Sequence, residues 1–281
     1  MKTRFLIFIA CMLLIVTNGF AKARKIEGNG KLITKEISIQ DYDAISGLGG
    51  AVIEYEQSSD KPYLRVTVDE NILPLLDIRV KGKTLRIDYK TDDEYDKKVS
   101  IDGNNIKIGN DFSLSPTKYV ITTNSSSLKE ISLVAGCRIN INSDFKAERM
   151  DASIAGSGNI DFKKSTDLYK GSFRVAGSGD IYLRKFKSTN LNCSVAGSGE
   201  ITLNGKAERG NYSVAGGGDI YGYKCELKKA ECNVAGGGNI QVYATERLEA
   251  NIAAGGEISY KGDPQVTQNT IAGGSITKEA E

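Results

Sequence analysis

The sequence predicts an all-β protein, a right-handed parallel β-helix (β-solenoid) with about 20 residues per rung. The prediction rests on a glycine-rich heptad that recurs through the second half, on apolar/polar alternation either side of it, and on a near-constant interval between copies.

The heptad reads IAGSGNI from Ile154, VAGSGDI from Val175, VAGSGEI from Val195, VAGGGDI from Val214 and VAGGGNI from Val234. Worn copies flank these: LVAGCRI from Leu133, IAAGGEI from Ile252 and the shorter IAGGSI from Ile271. The intervals are 21, 21, 20, 19, 20, 18 and 19 residues. A period that wanders by one or two residues describes a coil whose turns differ slightly in length.

Each copy opens on an aliphatic residue. Two residues earlier stand Ile131, Ala152, Phe173, Cys193, Tyr212, Cys232, Ala250 and Asn269, mostly small or apolar. The residue between is polar in every copy, for example Ser153, Ser194 and Asn233. Period-two alternation marks a strand with one buried face. Beyond the heptad's closing isoleucine the alternation resumes through Ile141, Phe162, Leu183, Leu203 and Val242, so a second inward-facing strand follows. Ala-Gly-Ser-Gly or Ala-Gly-Gly-Gly between the two strands predicts a sharp corner, because glycine tolerates positive φ and close backbone approach. Strand, corner, strand and a looser return make one rung, with roughly four inward apolar side chains contributing about 1.5–3 kcal/mol each when fully buried.

Residues 24–130 lack the heptad but keep the strand signal in Ala51–Tyr55, Leu64–Val68, Ile78–Val80, Leu85–Tyr89, Ile106–Ile108 and Tyr119–Ile121. They are expected to form irregular early rungs of one domain spanning 24–281. That gives about 12 rungs and a rod on the order of 55 Å long. A separate β-sandwich before the coil is the alternative. The charged tail Thr277–Glu281 is expected to discourage end-to-end stacking.

Residues 1–23 read as a signal peptide, with Lys2 and Arg4, an apolar run from Phe5 to Val16, and Ala21-Lys22-Ala23 as the cleavage site. The run is too short to span a bilayer, and no later segment approaches the required length, so no transmembrane anchor is expected. Cys11 within Ile9-Ala10-Cys11 loosely resembles a lipobox, but the apolar run continues past it. Removing Lys2, Arg4 and Lys22 from 37 basic residues leaves 34 against 35 acidic ones, a net charge of −1. Interspersed charges of that balance offer no footprint for nucleic acid. The expected location is the periplasm, the outer-membrane surface or the exterior.

Histidine is absent, which excludes a His base, a Ser-His-Asp or Cys-His pair, and imidazole zinc sites. Cys193 and Cys232 share an inward column with Tyr212 between them, so they should lie about 9.6 Å apart, beyond disulfide reach. Cys137 and Cys225 fall at a corner and in a return segment, with no evident partner.

The opening Asp41-Tyr42-Asp43-Ala44-Ile45-Ser46-Gly47, the early strand ending in Leu85-Arg86-Ile87, and the tandem AGSG[DNE]I corners together resemble the bacterial family called "putative auto-transporter adhesin, head GIN domain". The resemblance covers roughly residues 41–278. It implies an exported β-helical domain, and it supplies no catalytic residues. No series of alternating C-terminal segments of the kind that forms an outer-membrane barrel follows the coil, so the chain is not expected to export itself.

The most suggestive constellation precedes and follows the closing isoleucine. Asn159, Asp180, Glu200, Asp219, Asn239 and Glu257 should form one outward column, and Asp161, Tyr182, Thr202, Tyr221, Gln241 and Ser259 a second on the same face. The bland reading is a solvated edge that closes the corner. The sharper one is a binding strip built on Asp180, Tyr182, Glu200, Thr202, Asp219 and Tyr221, where the tyrosines stack on sugar rings and the acids hydrogen-bond hydroxyls. Like charges at about 5 Å repel by on the order of 0.8 kcal/mol in water, so weak Ca²⁺ binding is a further hypothesis, although no dedicated metal site or cofactor is expected. The leading functional expectation is a non-catalytic adhesin-like module that binds carbohydrate or a cell-surface protein. A ligand-free envelope scaffold and a carbohydrate-active β-helix enzyme are the alternatives. The short corners disfavour the enzyme, because clefts in solenoids come from long insertions.

Overall fold

A computed structural model describes residues 24–90, 99–102, 105–108 and 112–280. Residues 1–23, where a signal peptide is expected, lie outside them. From residue 145 the chain runs as the strands Phe145–Gly156, Asn159–Gly177, Asp180–Gly197, Glu200–Gly216, Asp219–Gly236 and Asn239–Ile252; the first five end on the first corner glycine, and all but the first begin just before the closing isoleucine. Each pairs in parallel with the next. The register puts Ile154, Val175, Val195, Val214, Val234 and Ile252 in one column, and Ile160, Ile181, Ile201, Ile220, Ile240 and Ile258 in another. All of them are buried. The predicted parallel solenoid is therefore the fold, with about 7 turns of about 20 residues.

The return is more regular than expected. Leu168, Ser188, Ala207, Leu227 and Ala244 align across successive rungs as a third buried column. Gly171, Leu191, Gly210, Ala230 and Leu248 do the same one strand later. Each rung therefore buries more than four side chains, in three short strands. The drift in repeat length is absorbed mainly at the corner after the second strand. Register shifts fall between Phe162 and Ser165, Leu183 and Phe186, Thr202 and Asn204, and Gly222 and Glu226. A bulge there leaves the inward columns in step, because the extra residue is left unpaired.

Bulky and small residues alternate along the axis. Phe145, Phe162 and Phe173 meet edge to face at 5.5 and 5.9 Å. Tyr212 is wholly buried beside Gly210 and Gly222, and its hydroxyl donates to Cys225 Sγ at 3.4 Å.

The expected early strands all form, but not as successive rungs of a 12-rung rod. Leu32–Ser38 pairs antiparallel with Tyr63–Asp69, which pairs antiparallel with Tyr119–Ser125, and Leu76–Lys81 pairs antiparallel with Thr84–Tyr89. One true rung lies among them. Ala44–Leu48 and Val52–Gln57 stack in parallel on Glu130–Val134 and Arg138–Ile141. Thr84–Tyr89 and Tyr119–Ser125 stack in parallel on the other side of that rung, as two halves of a coil split by an insertion. The insertion carries Val99–Asp102, Asn105–Ile108 and Phe112–Ser115, and the last pairs with Arg24–Glu27. The physical reason is the solenoid's end: its first coil would otherwise present unpaired backbone, and hairpins cover it.

Candidate functional site

The outward columns form as the alternation predicts. Arg138, Asn159, Asp180, Glu200, Asp219, Asn239 and Glu257 occupy one. Asn140, Asp161, Tyr182, Thr202, Tyr221, Gln241 and Ser259 occupy the second. All six expected strip residues are thus brought together, and each is half-buried. Sequence reasoning missed Arg138, the only cation of the first column, because the copies after it, from Asn159 to Glu257, carry an acid or an amide at that position and the column was read from those.

Much of the expected repulsion is answered within the column. Asn159 Nδ2 donates to Asp180 Oδ2 at 3.2 Å. Asp219 Oδ1 accepts from the backbone N–H and Nδ2 of Asn239 at 3.0 and 2.8 Å, and its Oδ2 accepts from the Tyr221 hydroxyl at 3.2 Å. Beside them Arg184 grips both oxygens of Asp161 at 2.8 Å while lying 5.7 Å from the Tyr182 ring centroid, which fixes that ring. Among the described residues no group of three or more His, Cys, Asp or Glu is arranged to hold a metal ion. The calcium hypothesis gains no support from this geometry.

Glu200 is the exception. Burial disfavours its charge, and Asp180 and Asp219 on either side repel it, so its pKa is raised. An acid whose folded pKa exceeds its unfolded value opposes folding once ionised, and the opposition fades as pH falls through the folded value. Glu200→Gln is expected to melt slightly above wild type at neutral pH, with the gap closing in acid. A gap that stays constant across that range in parallel thermal melts would show that Glu200 is not squeezed.

Residues 41–264 match the sequence profile of the family "Putative auto-transporter adhesin, head GIN domain". The chain belongs to this family. The same fold is found in crystal structures of related proteins. A protein from Parabacteroides distasonis, named a putative lipid binding protein, is 42% identical with a TM-score of 0.84, covering 92% of this chain and 100% of that one. A putative adhesin from Parabacteroides merdae is 30% identical (TM-score 0.81, 92% and 100% covered), and a second from P. distasonis is 29% identical (0.81, 91% and 100%). No curated protein matches the sequence.

The cysteines of this head GIN domain add no chemistry to the strip. Cys137, Cys193, Cys225 and Cys232 are free and buried. Burial raises every one of these thiols, Cys137 and Cys225 to about 12, so none is a thiolate at neutral pH. Cys193, Tyr212 and Cys232 share one inward column, as the repeat implied. Cys225 accepts the Tyr212 hydroxyl, and Cys137 donates to the Gly49 carbonyl at 2.7 Å. Among the described residues no helix is long and apolar enough to cross a membrane.

Proposed function

We propose that this head GIN domain is an exported, non-catalytic, adhesin-like module that recognises carbohydrate through its two outward columns. The observation that carries the reading is the register. It places Tyr182 and Tyr221 two rungs apart, about 9.6 Å, with Asp180, Glu200 and Asp219 alongside. Half-buried side chains on a stacked sheet are held in place before a ligand arrives, so little ordering entropy opposes binding. Apolar ring faces between hydrogen-bonding acids and amides are complementary to a sugar chain, whose faces are apolar and whose rim is hydroxyl. The membership of an adhesin family and the adhesin names of two relatives support a binding role over catalysis. The signal-like residues 1–23 support export.

The mature chain on a glycan array is the test. Wild type is expected to bind a subset of extended glycans, and Tyr182→Ala with Tyr221→Ala to weaken binding about tenfold or more, given about 0.5–1.5 kcal/mol per aromatic contact. A blank array, or a double variant that binds as wild type does, would leave a scaffold role as the better account.

A further inference from the structure

The insertion that splits the first coil creates a second place for a ligand. Between Leu114, Ser115 and Pro116 of the insertion and the stacked corners of the following rungs lies a cleft of about 520 Å³. Gly136, Ser157, Gly158 and Ser178 supply the corner side, and Tyr89 and Val52 also line it. Arg138 and Asn159, the first two members of the acid and amide column, complete it. The cleft is therefore where the outward column runs under the inserted sheet. It exists because the glycine corner of that coil is replaced by some thirty residues, from Lys90 to Lys118.

Its chemistry is one-sided. Among the described residues the lining offers a guanidinium, an amide and serine hydroxyls, and no carboxylate. Among the described residues Arg138 makes no ion pair, although it is exposed and stands in a column otherwise rich in acids. The nearest acid of that column, Asp180, lies two rungs away and already accepts from Asn159. Next to the Tyr89 wall the Tyr119 hydroxyl is buried without a hydrogen-bond partner among the described residues, and its phenol is strongly disfavoured as an anion by burial and by the neighbouring Tyr89. It is therefore a donor, and buried donors in folded proteins are almost always paired. Small-molecule sites typically measure about 300–1,000 Å³ and hold a few convergent polar groups. A single planar guanidinium recognises one carboxylate or sulfate by paired N–H donors.

We propose that this cleft binds a monoanionic sugar residue, a uronic acid or a sulfated hexose, with Arg138 pairing the anion and Ser157, Asn159 and Ser178 hydrogen-bonding the ring hydroxyls. The proposal shares the ligand class of the outward columns, and it stands even if Tyr182 and Tyr221 prove dispensable.

Isothermal titration calorimetry of the mature chain tests it with three probes: oligogalacturonate, the same oligomer fully methyl-esterified, and a sulfated galactan oligosaccharide. At least one anionic probe is expected to bind, with the neutral ester at least tenfold weaker than oligogalacturonate if the uronate is the ligand. The anionic arm that binds identifies the source of the charge. Arg138→Gln is expected to weaken that binding at least tenfold, and Ser178→Tyr, which fills the cleft, to abolish it. Both residues are exposed, so both variants should melt as wild type does. The cleft is overturned if neither anionic probe binds, if ester and acid bind alike with no sulfate binding, or if Arg138→Gln leaves affinity unchanged. Loss of binding in the Tyr182/Tyr221 variant alone would retain the columns and remove the cleft. Loss in Arg138→Gln alone would do the reverse.

Discussion

Val214→Asp is expected to abolish the folded coil. Val214 is 1% exposed and sits mid-column between Val195 and Val234, with only aliphatic groups above and below. The substitution forfeits about 1.5–3 kcal/mol of burial. It also places a carboxylate in a lumen without a cation, an unpaired buried charge costing several kcal/mol more. Together these approach the whole stability of a typical domain, about 5–15 kcal/mol. Position adds to the effect, because each rung is supported only by its neighbours, and a failure in the middle exposes two new edges. The variant should be recovered insoluble or show no cooperative melt by circular dichroism. Ser213→Asp, one residue earlier and exposed, should stay within about 0.5 kcal/mol of wild type. A Val214→Asp protein melting at the wild-type temperature would place the valine column in water.

The coil was legible because its repeat is contiguous: once Ile154, Val175 and Val195 are seen to recur, parity alone assigns Ser194 outward and Cys193 inward. The same parity made the outward columns legible from Asp180 to Tyr221. The N-terminal end was not, for two physical reasons. Gly47-Leu48-Gly49-Gly50-Ala51-Val52-Ile53 stacks residue for residue on Leu133 to Ile139, so it is a heptad copy, but glycine has replaced its opening aliphatic residue. Cys137, across from it, fills the space that Gly47 leaves, with its sulfur 3.3 Å from where a Cβ at Gly47 would stand. The next coil is assembled from Thr84–Tyr89 and Tyr119–Ser125, far apart in the chain, so no period announces it. Alternation in Leu64–Val68 identifies a strand, yet it is the same for parallel and antiparallel partners. The cleft beside Arg138 arises from that split coil and was hidden with it. The third buried column was missed because Leu168, Ser188, Ala207 and Leu227 differ too much in size and polarity to read as one position.

The two glycines of a corner differ from the residue between them, and substitution should separate the roles. Gly199 has ordinary backbone angles, but a Cβ there would stand 2.3 Å from the Gly179 carbonyl oxygen and 2.6 Å from Val175 Cγ1. The obstructing oxygen belongs to the backbone of the rung below, which cannot move without opening the ladder that Glu200 N–H makes with Gly179 O at 3.1 Å. Gly197 is constrained twice, by φ of +127° and by a Cβ position 2.5 Å from Gly177 O. Gly217, the central residue of its corner, has nothing within 4 Å, which is why serine replaces it in other copies. Gly199→Ala should therefore cost at least about 1–3 kcal/mol by overpacking, lowering the melting temperature by about 2–4 °C per kcal/mol in a chain of this size. Gly217→Ala should do the opposite, gaining about 0.4–1 kcal/mol by narrowing the unfolded ensemble. Opposite signs from the same chemical change, in adjacent corners of the same ridge, are the mark of rungs stacked at backbone contact. Equal melting temperatures for the two variants would mean that the corners do not touch.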